Sequence, residues 1–462
     1  VSAVSSDVLV IGGGPAGVIA AARAGDLGAR TTLVTAGSFG GMAATDGPVP
    51  VRTLAHAARL MREARQLERF GVTVSPPVLD YPRLLARVDA VVEEVARTSL
   101  LRKQIEDAGV AIHTDVGPVR FLDPHTVEAP DGRRFEADKI ILCVGGVSRR
   151  LPIPGFELTA THSDAWSLTS VPETLIVVGS GATGAQVASV FNAFGSKVQL
   201  FEAGARILHT EEPEVSTCVA EAFRASGITI HEGFGAIESF EPAPGGVRMT
   251  WSKDGERHHA DAAVVVVAIG WAADTAAMNL ATAGVEINER GFIRVDDAQR
   301  TTAPHIFAAG DVTGRLMLAP QAQHGGFTAA TNAVTGSGES AARAVNPLGS
   351  FTDPEYAQVG LGEAAARRAH EVEVFTVGFD VTIRAIIDDR TTGFCKLVVD
   401  HADHRVLGCH IVGERAVELA QIAAVVIDAG MTVETLAQLP ISFPTYAGIL
   451  GRAAAAAALG LR

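Results

Sequence analysis

Five apolar runs along the chain, "VLVIGGG", "KIILCVGG", "TLIVVGSG", "AVVVVAIG" and "HIFAAGD", each close on glycine. Continuous apolar runs of this length predict strands buried on both faces, as in a parallel sheet. The first run opens "DVLVIGGGPAGVIAAARAGDLGARTTLVT", which predicts strand, glycine turn, helix and second strand. That order returns about 165 residues later in "TLIVVGSGATGAQVASVFNAFGSKVQLFE", a duplicated plan rather than a short solenoid period. Between them a charged stretch, 53–108, predicts helix, and Asp131-Gly132 predicts a hairpin turn. From about residue 347 the pattern changes. "GFCKLVVDHADHRVLGCHIVG" alternates like an antiparallel hairpin, "AVELAQIAAVVIDAG" follows as a helix, and the Ala-rich tail predicts another. Proline and glycine in "LPIPG" and "NPLGS" mark boundaries. The expected fold class is α/β: two Rossmann-like dinucleotide-binding domains and a C-terminal α+β domain.

The glycine turns carry candidate chemistry. Gly12, Gly14 and Gly17, with Pro15 and Ala16 between them, follow a strand and open a helix. Glycines there let backbone N–H groups and the helix N-terminus approach a pyrophosphate. The acid expected at the end of the next strand is replaced by Thr35. A neutral hydroxyl instead of a carboxylate weakens the ribose contact by roughly 1 kcal/mol. The second turn has Gly179, Gly181 and Gly184 and keeps its acid, Glu202. A carboxylate accepts both adenosine ribose hydroxyls and repels a 2′-phosphate, which favours NADH over NADPH. Arg206, close behind, is a cation able to compensate a phosphate, so NADPH stays an alternative.

Composition narrows the class. A chain of 462 residues exceeds one hydrophobic core, so two to four domains are expected. Its net charge of −14 opposes nucleic acid and anionic membrane surfaces. No apolar run reaches the roughly 18 residues of a membrane span. The opening "VSAVSSDVLVIGGG" lacks a charged segment before its apolar one, so no secretory signal is expected. Cys143, Cys218, Cys395 and Cys409 form no C-x-x-C pair and no disulfide framework, which points to the cytoplasm.

Several motifs in order, "VIGGGPAG", "GSFGG", "ILCVGGVSRRLPIPG", "VVGSGATG", "TTAPHIFAAGDVTG" and "FTDPEYAQVGLGEAAAR", resemble the pyridine nucleotide disulfide oxidoreductases over essentially the whole length. The resemblance implies FAD on the first nucleotide unit, a nicotinamide nucleotide on the second and homodimerisation through the last domain. The implied segments are 1–150 and 273–346 for FAD, 151–272 for the nicotinamide nucleotide and 347–462 for dimerisation. Asp311 matches the aspartate that contacts the ribityl and phosphate region of FAD, with Ala303 and Gly310 tightening its loop. Gly41 and Gly145 fall in further flavin-side motifs, and Gly270 closes a strand of the nicotinamide-nucleotide segment.

Against that resemblance "GGMAATDGPVPVR", 40–52, is anomalous. Family members place two cysteines there beside the flavin; here those positions are Ala43 and Pro48, and neither forms a thiolate. The family's C-terminal His-Pro-Thr-x-x-Glu reads "FPTYAG", with Phe443 for the histidine and Gly448 for the glutamate. Its lysine is Arg52, able to stabilise negative charge on the flavin, and its glutamate is Gln186, able to hydrogen-bond the nicotinamide carboxamide. The resemblance therefore implies FAD reduced by NADH that hands electrons directly to a small conjugated, quinone-like acceptor. The vacated cavity would be lined by Met42, Ala43, Thr45, Pro48, Phe443 and Tyr446. Tyr446 and His324 are candidate proton donors, with packing as their alternative role. His56 reads as helix packing, and His401, His404, Cys409 and His410 as a turn and a packed histidine rather than a metal site. Two other readings stay open: a metabolite dehydrogenase or oxidase reoxidised by NAD⁺ or O₂, and a non-catalytic nucleotide-binding scaffold.

Overall fold

A computed structural model describes residues 3–45, 47–98, 100–342 and 345–461. The chain packs as two compact units. One takes in Val1–Thr53, Leu85–Arg149 and Gly270–Ala342; the other takes in Leu54–Leu84, Arg150–Ile269 and Arg343–Arg462.

The first unit is built on parallel strands in the order Ala111–His113, Thr31–Val34, Val4–Ile11, Arg134–Leu142 and Ile306–Ala308. Both faces of Val4–Ile11 are covered, which is why its sequence does not alternate. Val8 and Val10 pack with the helices Pro15–Asp26 and Ala319–Thr335 through Ala20, Ala24, Ala329 and Ala330. Leu9 and Ile11 face the other way, onto Ile140, Leu142, Phe121 and Met278. The hairpin expected at Asp131-Gly132 is present: Thr126–Glu128 pairs antiparallel with the start of Arg134–Leu142, and Gly132 has φ +85.

The single helical stretch expected over 53–108 is divided into Pro48–Ala64, Tyr81–Thr98 and Leu100–Asp107, and Ser99 lies outside the described residues. Gly71, left-handed at φ +74, ends a short helical turn. Pro76 and Pro77 then lack the N–H groups that would continue a helix.

In the second unit Thr229–Glu232, Lys197–Glu202, Thr174–Val178 and Val264–Val267 form a parallel sheet in that order. An antiparallel meander, Ala236–Ala243, Gly246–Lys253 and Glu256–Ala262, was not signalled by any apolar run. The C-terminal sheet is antiparallel, ordered Leu348–Ser350, Tyr356–Gly360, Val406–Val412, Phe394–Asp400 and Val372–Gly378. "NPLGS" is thus partly a strand rather than only a boundary. The hairpin Phe394–Val412 is buried on both faces instead of one. Cys395, Leu397 and Val399 meet the helices Ala416–Asp428 and Gly448–Gly460, while Val398 packs on Ala366 and Val372.

Candidate nucleotide sites and a cysteine-free loop

The two glycine turns have the same construction. Gly12 has φ +108, and a Cβ there would stand 2.1 Å from the Cys143 carbonyl oxygen; Gly179 has φ +92, with the Ala268 carbonyl oxygen at 2.4 Å. A Cβ on Gly17 would lie 1.7 Å from the Gly12 carbonyl oxygen, and one on Gly184 would lie 1.9 Å from that of Gly179. These four glycines are required by the protein's own packing. Gly14 and Gly181 are different: each precedes the first residue of its helix, and a Cβ on either would meet nothing within 4 Å. Open space at a helix N-terminus is where a pyrophosphate fits, so the donor set suits a dinucleotide at both turns.

The acid positions diverge. Glu202 is buried at the end of its strand. Its Oε2 accepts from the backbone N–H of Ser180 at 3.1 Å and from the Ser180 hydroxyl, and its Oε1 accepts from the Gly204 N–H at 2.7 Å. Of roughly four acceptor sites on a carboxylate, these bonds leave room on Oε1 for a ribose hydroxyl. Arg206 is turned into its own loop, donating to the carbonyls of Leu208, His209 and Glu211 at 3.3, 3.0 and 2.8 Å. Thr35, also buried, lies against the first turn: a Cβ on Gly13 would come within 3.2 Å of its Cβ.

Other flavin-side candidates gather in the first unit. Gly41 crosses the first turn so closely that a Cβ would be 2.8 Å from Gly14 Cα, and the Gly40 N–H donates to the Gly13 carbonyl at 2.9 Å. Gly145 has φ +78, Gly270 φ +104 and Gly310 φ +81. A Cβ on Gly310 would approach the Ala16 side chain at 3.2 Å. Beside Gly310, burial raises the Asp311 carboxyl above its ordinary value. A carboxyl in that state is suited to hydroxyls of a bound ligand. His324 lies on the helix Ala319–Thr335, whose Gly326 packs so tightly that a Cβ would meet the Ala16 carbonyl oxygen at 2.1 Å.

The anomalous loop carries no cysteine. Met42, Ala43 and Thr45 lie in the short helix Gly41–Thr45, and Pro48 opens the helix that carries Arg52. The Gly47 N–H donates to the Met42 carbonyl at 2.7 Å, and a Cβ on Gly47 would be 3.3 Å from Ala43 Cα. Ala43 and the Gly47-Pro48 segment therefore come together. Asp46 lies outside the described residues. Among the remaining cysteines, Cys143, just beyond the strand that ends at Leu142, is buried, and burial pushes its thiol up to about 12. Cys395 and Cys409 are buried in the C-terminal core with sulfurs 3.8 Å apart.

The remaining candidates lie in the second unit. Gln186 donates to the Ala182 carbonyl at 3.2 Å and accepts from the Phe351 N–H at 3.4 Å. Phe443 is 78% exposed. Tyr446 donates its hydroxyl to Asp388 at 2.8 Å and packs against Phe379. Burial and that bond hold the phenol well above the ordinary tyrosine range. The turn at 401–403 and the buried His410, whose ring nitrogen meets the Leu361 carbonyl at 3.2 Å, take the places expected of them.

Two dinucleotide turns with a separate C-terminal sheet define a two-nucleotide oxidoreductase. Residues 6–326 match the pyridine nucleotide-disulphide oxidoreductase model, and residues 346–454 match that family's dimerisation domain. The chain belongs to this family and is an FAD-dependent oxidoreductase. It is 34% identical to a dihydrolipoyl dehydrogenase of Haloferax volcanii, covering 98% of this chain and 96% of the relative. It is 30% identical to a mercuric reductase of Lysinibacillus sphaericus, covering 96% and 80%. Among solved structures it is similar to the HOCl-induced flavoprotein disulfide reductase RclA from Escherichia coli, with a TM-score of 0.86, 25% identity and coverage of 97% and 99%.

Sequence reasoning missed Ser180, although "GSG" contained it, because a serine inside a glycine turn is unremarked until it meets Glu202. It also missed Gly13, Gly326 and Lys396. Lys396 had a signal, a lone charge within "FCKLVVD".

Proposed function

We propose that this chain oxidises NADH through FAD and delivers the electrons to a small conjugated, quinone-like acceptor without a redox disulfide. The observation that carries the reading is the pairing of two intact dinucleotide turns with a loop holding Ala43 and Pro48. When bound, FAD supplies the ring that takes a hydride from NADH and returns two electrons to an acceptor.

Segments 1–150 and 273–346 are assigned to FAD, through the turn Gly12 to Gly17, Gly41, Gly145, Gly310 and Asp311, with Thr35 as a neutral ribose partner. Segment 151–272 is assigned to NADH. Support for NADH over NADPH comes from the buried carboxylate of Glu202 and from Arg206, whose donors are directed at its own loop. Gly270 adds a turn to this set, and Gln186 is assigned to the nicotinamide carboxamide. Segment 347–462 is assigned to homodimerisation. Arg52, on the helix that follows the cysteine-free loop, is assigned to stabilising negative charge on the flavin.

Met42, Ala43, Thr45 and Pro48 are assigned to the acceptor site, which carries no thiol. Its proton donor is His324 rather than Tyr446, whose proton is directed to Asp388. Four free cysteines suit a cytoplasmic location. No helix of the described residues is long and apolar enough to cross a membrane.

Anaerobic mixing tests the reading. NADH should bleach the bound flavin and a quinone should restore its colour, while oxidised lipoamide, oxidised glutathione and Hg²⁺ should not. Turnover of either disulfide would sink the proposal. Slow or absent bleaching would favour the metabolite oxidase.

A further inference from the structure

The side chain of Lys396 is 2% exposed, yet it carries a charge into the C-terminal sheet. Its Nζ lies 2.8 Å from Glu212 Oε2, 2.9 Å from Glu363 Oε2 and 3.2 Å from Glu214 Oε1. Burial by itself would lower its pKa, but the three carboxylates outweigh burial and keep the ammonium charged. An ion cluster of this kind is weak evidence for stability, since apolar residues fill such a space at lower cost. Its geometry indicates another role.

Glu212 stands at the N-cap of the helix Pro213–Ala225, where a carboxylate ordinarily turns back onto the free N–H groups. It makes no such bond. Its Oε2 goes to Lys396, and its Oε1 accepts from the Glu363 N–H at 3.1 Å. Gly362 leaves room for this, since a Cβ there would be 2.6 Å from Glu212 Oε1. From Glu212 the chain runs back into the loop that follows Glu202. The Glu211 N–H donates to the Leu208 carbonyl at 2.9 Å, and the Leu208 N–H donates to the Ser180 carbonyl at 3.2 Å. Ser180 in turn donates to Glu202. The loop is therefore tied at its start by Glu202, through Gly204, and at its end by Glu212, through Lys396.

We propose that Lys396 is a positioning residue for the nicotinamide nucleotide: through Glu212 it sets the loop 203–212 and hence the Ser180–Glu202 pair that receives the adenosine ribose. The inference rests on the reading that the second glycine turn binds NADH. Lys396 acts through Glu212, so it tunes affinity and leaves the rate of hydride delivery alone.

The test is rapid anaerobic mixing of the FAD-loaded full chain with NADH, which separates the dissociation constant from the limiting rate of flavin bleaching. Lys396→Met should raise the NADH dissociation constant about three- to tenfold and change the limiting rate less than about twofold. Lys396→Arg should recover most of the affinity. Glu212→Gln, which leaves Lys396 paired with Glu214 and Glu363, should reproduce the loss if Lys396→Met does not fold. Folded variants with unchanged NADH affinity would mean that Arg206 braces the loop by itself, and the proposal would fall. A loss confined to the limiting rate would overturn it equally. A wild-type protein that neither binds nor is bleached by NADH overturns the underlying reading instead, and titration of NADH fluorescence on the wild type distinguishes the two.

Discussion

Ser180 donates both its backbone N–H and its hydroxyl to one oxygen of Glu202. Removing that carboxylate leaves two buried donors without an acceptor, at about 1–3 kcal/mol each. Glu202→Ala should therefore weaken NADH binding tenfold or more on the scale of roughly one lost hydrogen bond to a charged group. Glu202→Gln should narrow the preference for NADH over NADPH. Steady-state KM values for both nucleotides check this; an unchanged KM for NADH contradicts it.

The glycines of each turn should separate folding from binding. Gly14→Ala should fold, because its Cβ meets nothing within 4 Å, and should lose FAD. Gly17→Ala should not fold normally, since its Cβ would be 1.7 Å from a carbonyl oxygen, a clash beyond the ~1–3 kcal/mol of ordinary overpacking. Thermal melts alongside visible flavin absorbance distinguish the two. Gly181→Ala should stay yellow and stop responding to NADH.

Thr35, the proposed ribose partner of FAD, offers a neutral hydroxyl where a carboxylate would bind more strongly. Thr35→Glu should tighten FAD retention by about fivefold, the equivalent of roughly 1 kcal/mol. Exhaustive dialysis followed by flavin absorbance of the retained protein measures it. Faster FAD loss would show that the space beside Gly13 rejects the longer side chain.

Thiol reagents should leave turnover intact. Burial raises Cys143 to about 12 and also raises Cys218, while the Cys395 sulfur beside it, together with burial, raises Cys409, so thiolate is scarce at neutral pH. After iodoacetamide treatment, NADH–quinone turnover should stay within about twofold of the untreated rate. Complete inactivation with alkylation at one cysteine would restore sulfur to the mechanism.

Burial raises the Glu211 carboxyl from 4.5 to about 7. Its folded pKa thus exceeds its unfolded one, so the folded state binds the extra proton between those values and stability falls as pH rises through that window. The loss is on the order of 2 kcal/mol after allowance for partial exposure. Glu211→Gln should remove most of this pH dependence, as read from urea denaturation at pH values on either side of the window. A variant with the wild-type profile would assign the dependence elsewhere.

The strands that follow the five apolar runs, both glycine turns and the replacement of the cysteine pair were legible in the sequence, because each is a local pattern: apolar continuity, glycine spacing, or the identity of a residue. The break in the helical stretch after Ala64 was legible too, in Gly71 and Pro76-Pro77, but the charged periodicity on either side obscured it. Arg206 shows the opposite case. Its identity raised the possibility of a phosphate partner, and only its three carbonyl acceptors show where its donors point.

By itself, then, the sequence determined which chemistry is available: two places for a dinucleotide and no thiol pair at Ala43 and Pro48. Tertiary structure decided which glycines are needed for packing and which leave space, how Glu202 is oriented by Ser180, and that Lys396 reaches Glu212 from 184 residues away. The physical reason is range. Backbone turns and residue chemistry are set by neighbours in sequence, whereas a hydrogen bond or a Cβ clash between distant segments exists only once the fold has brought them together.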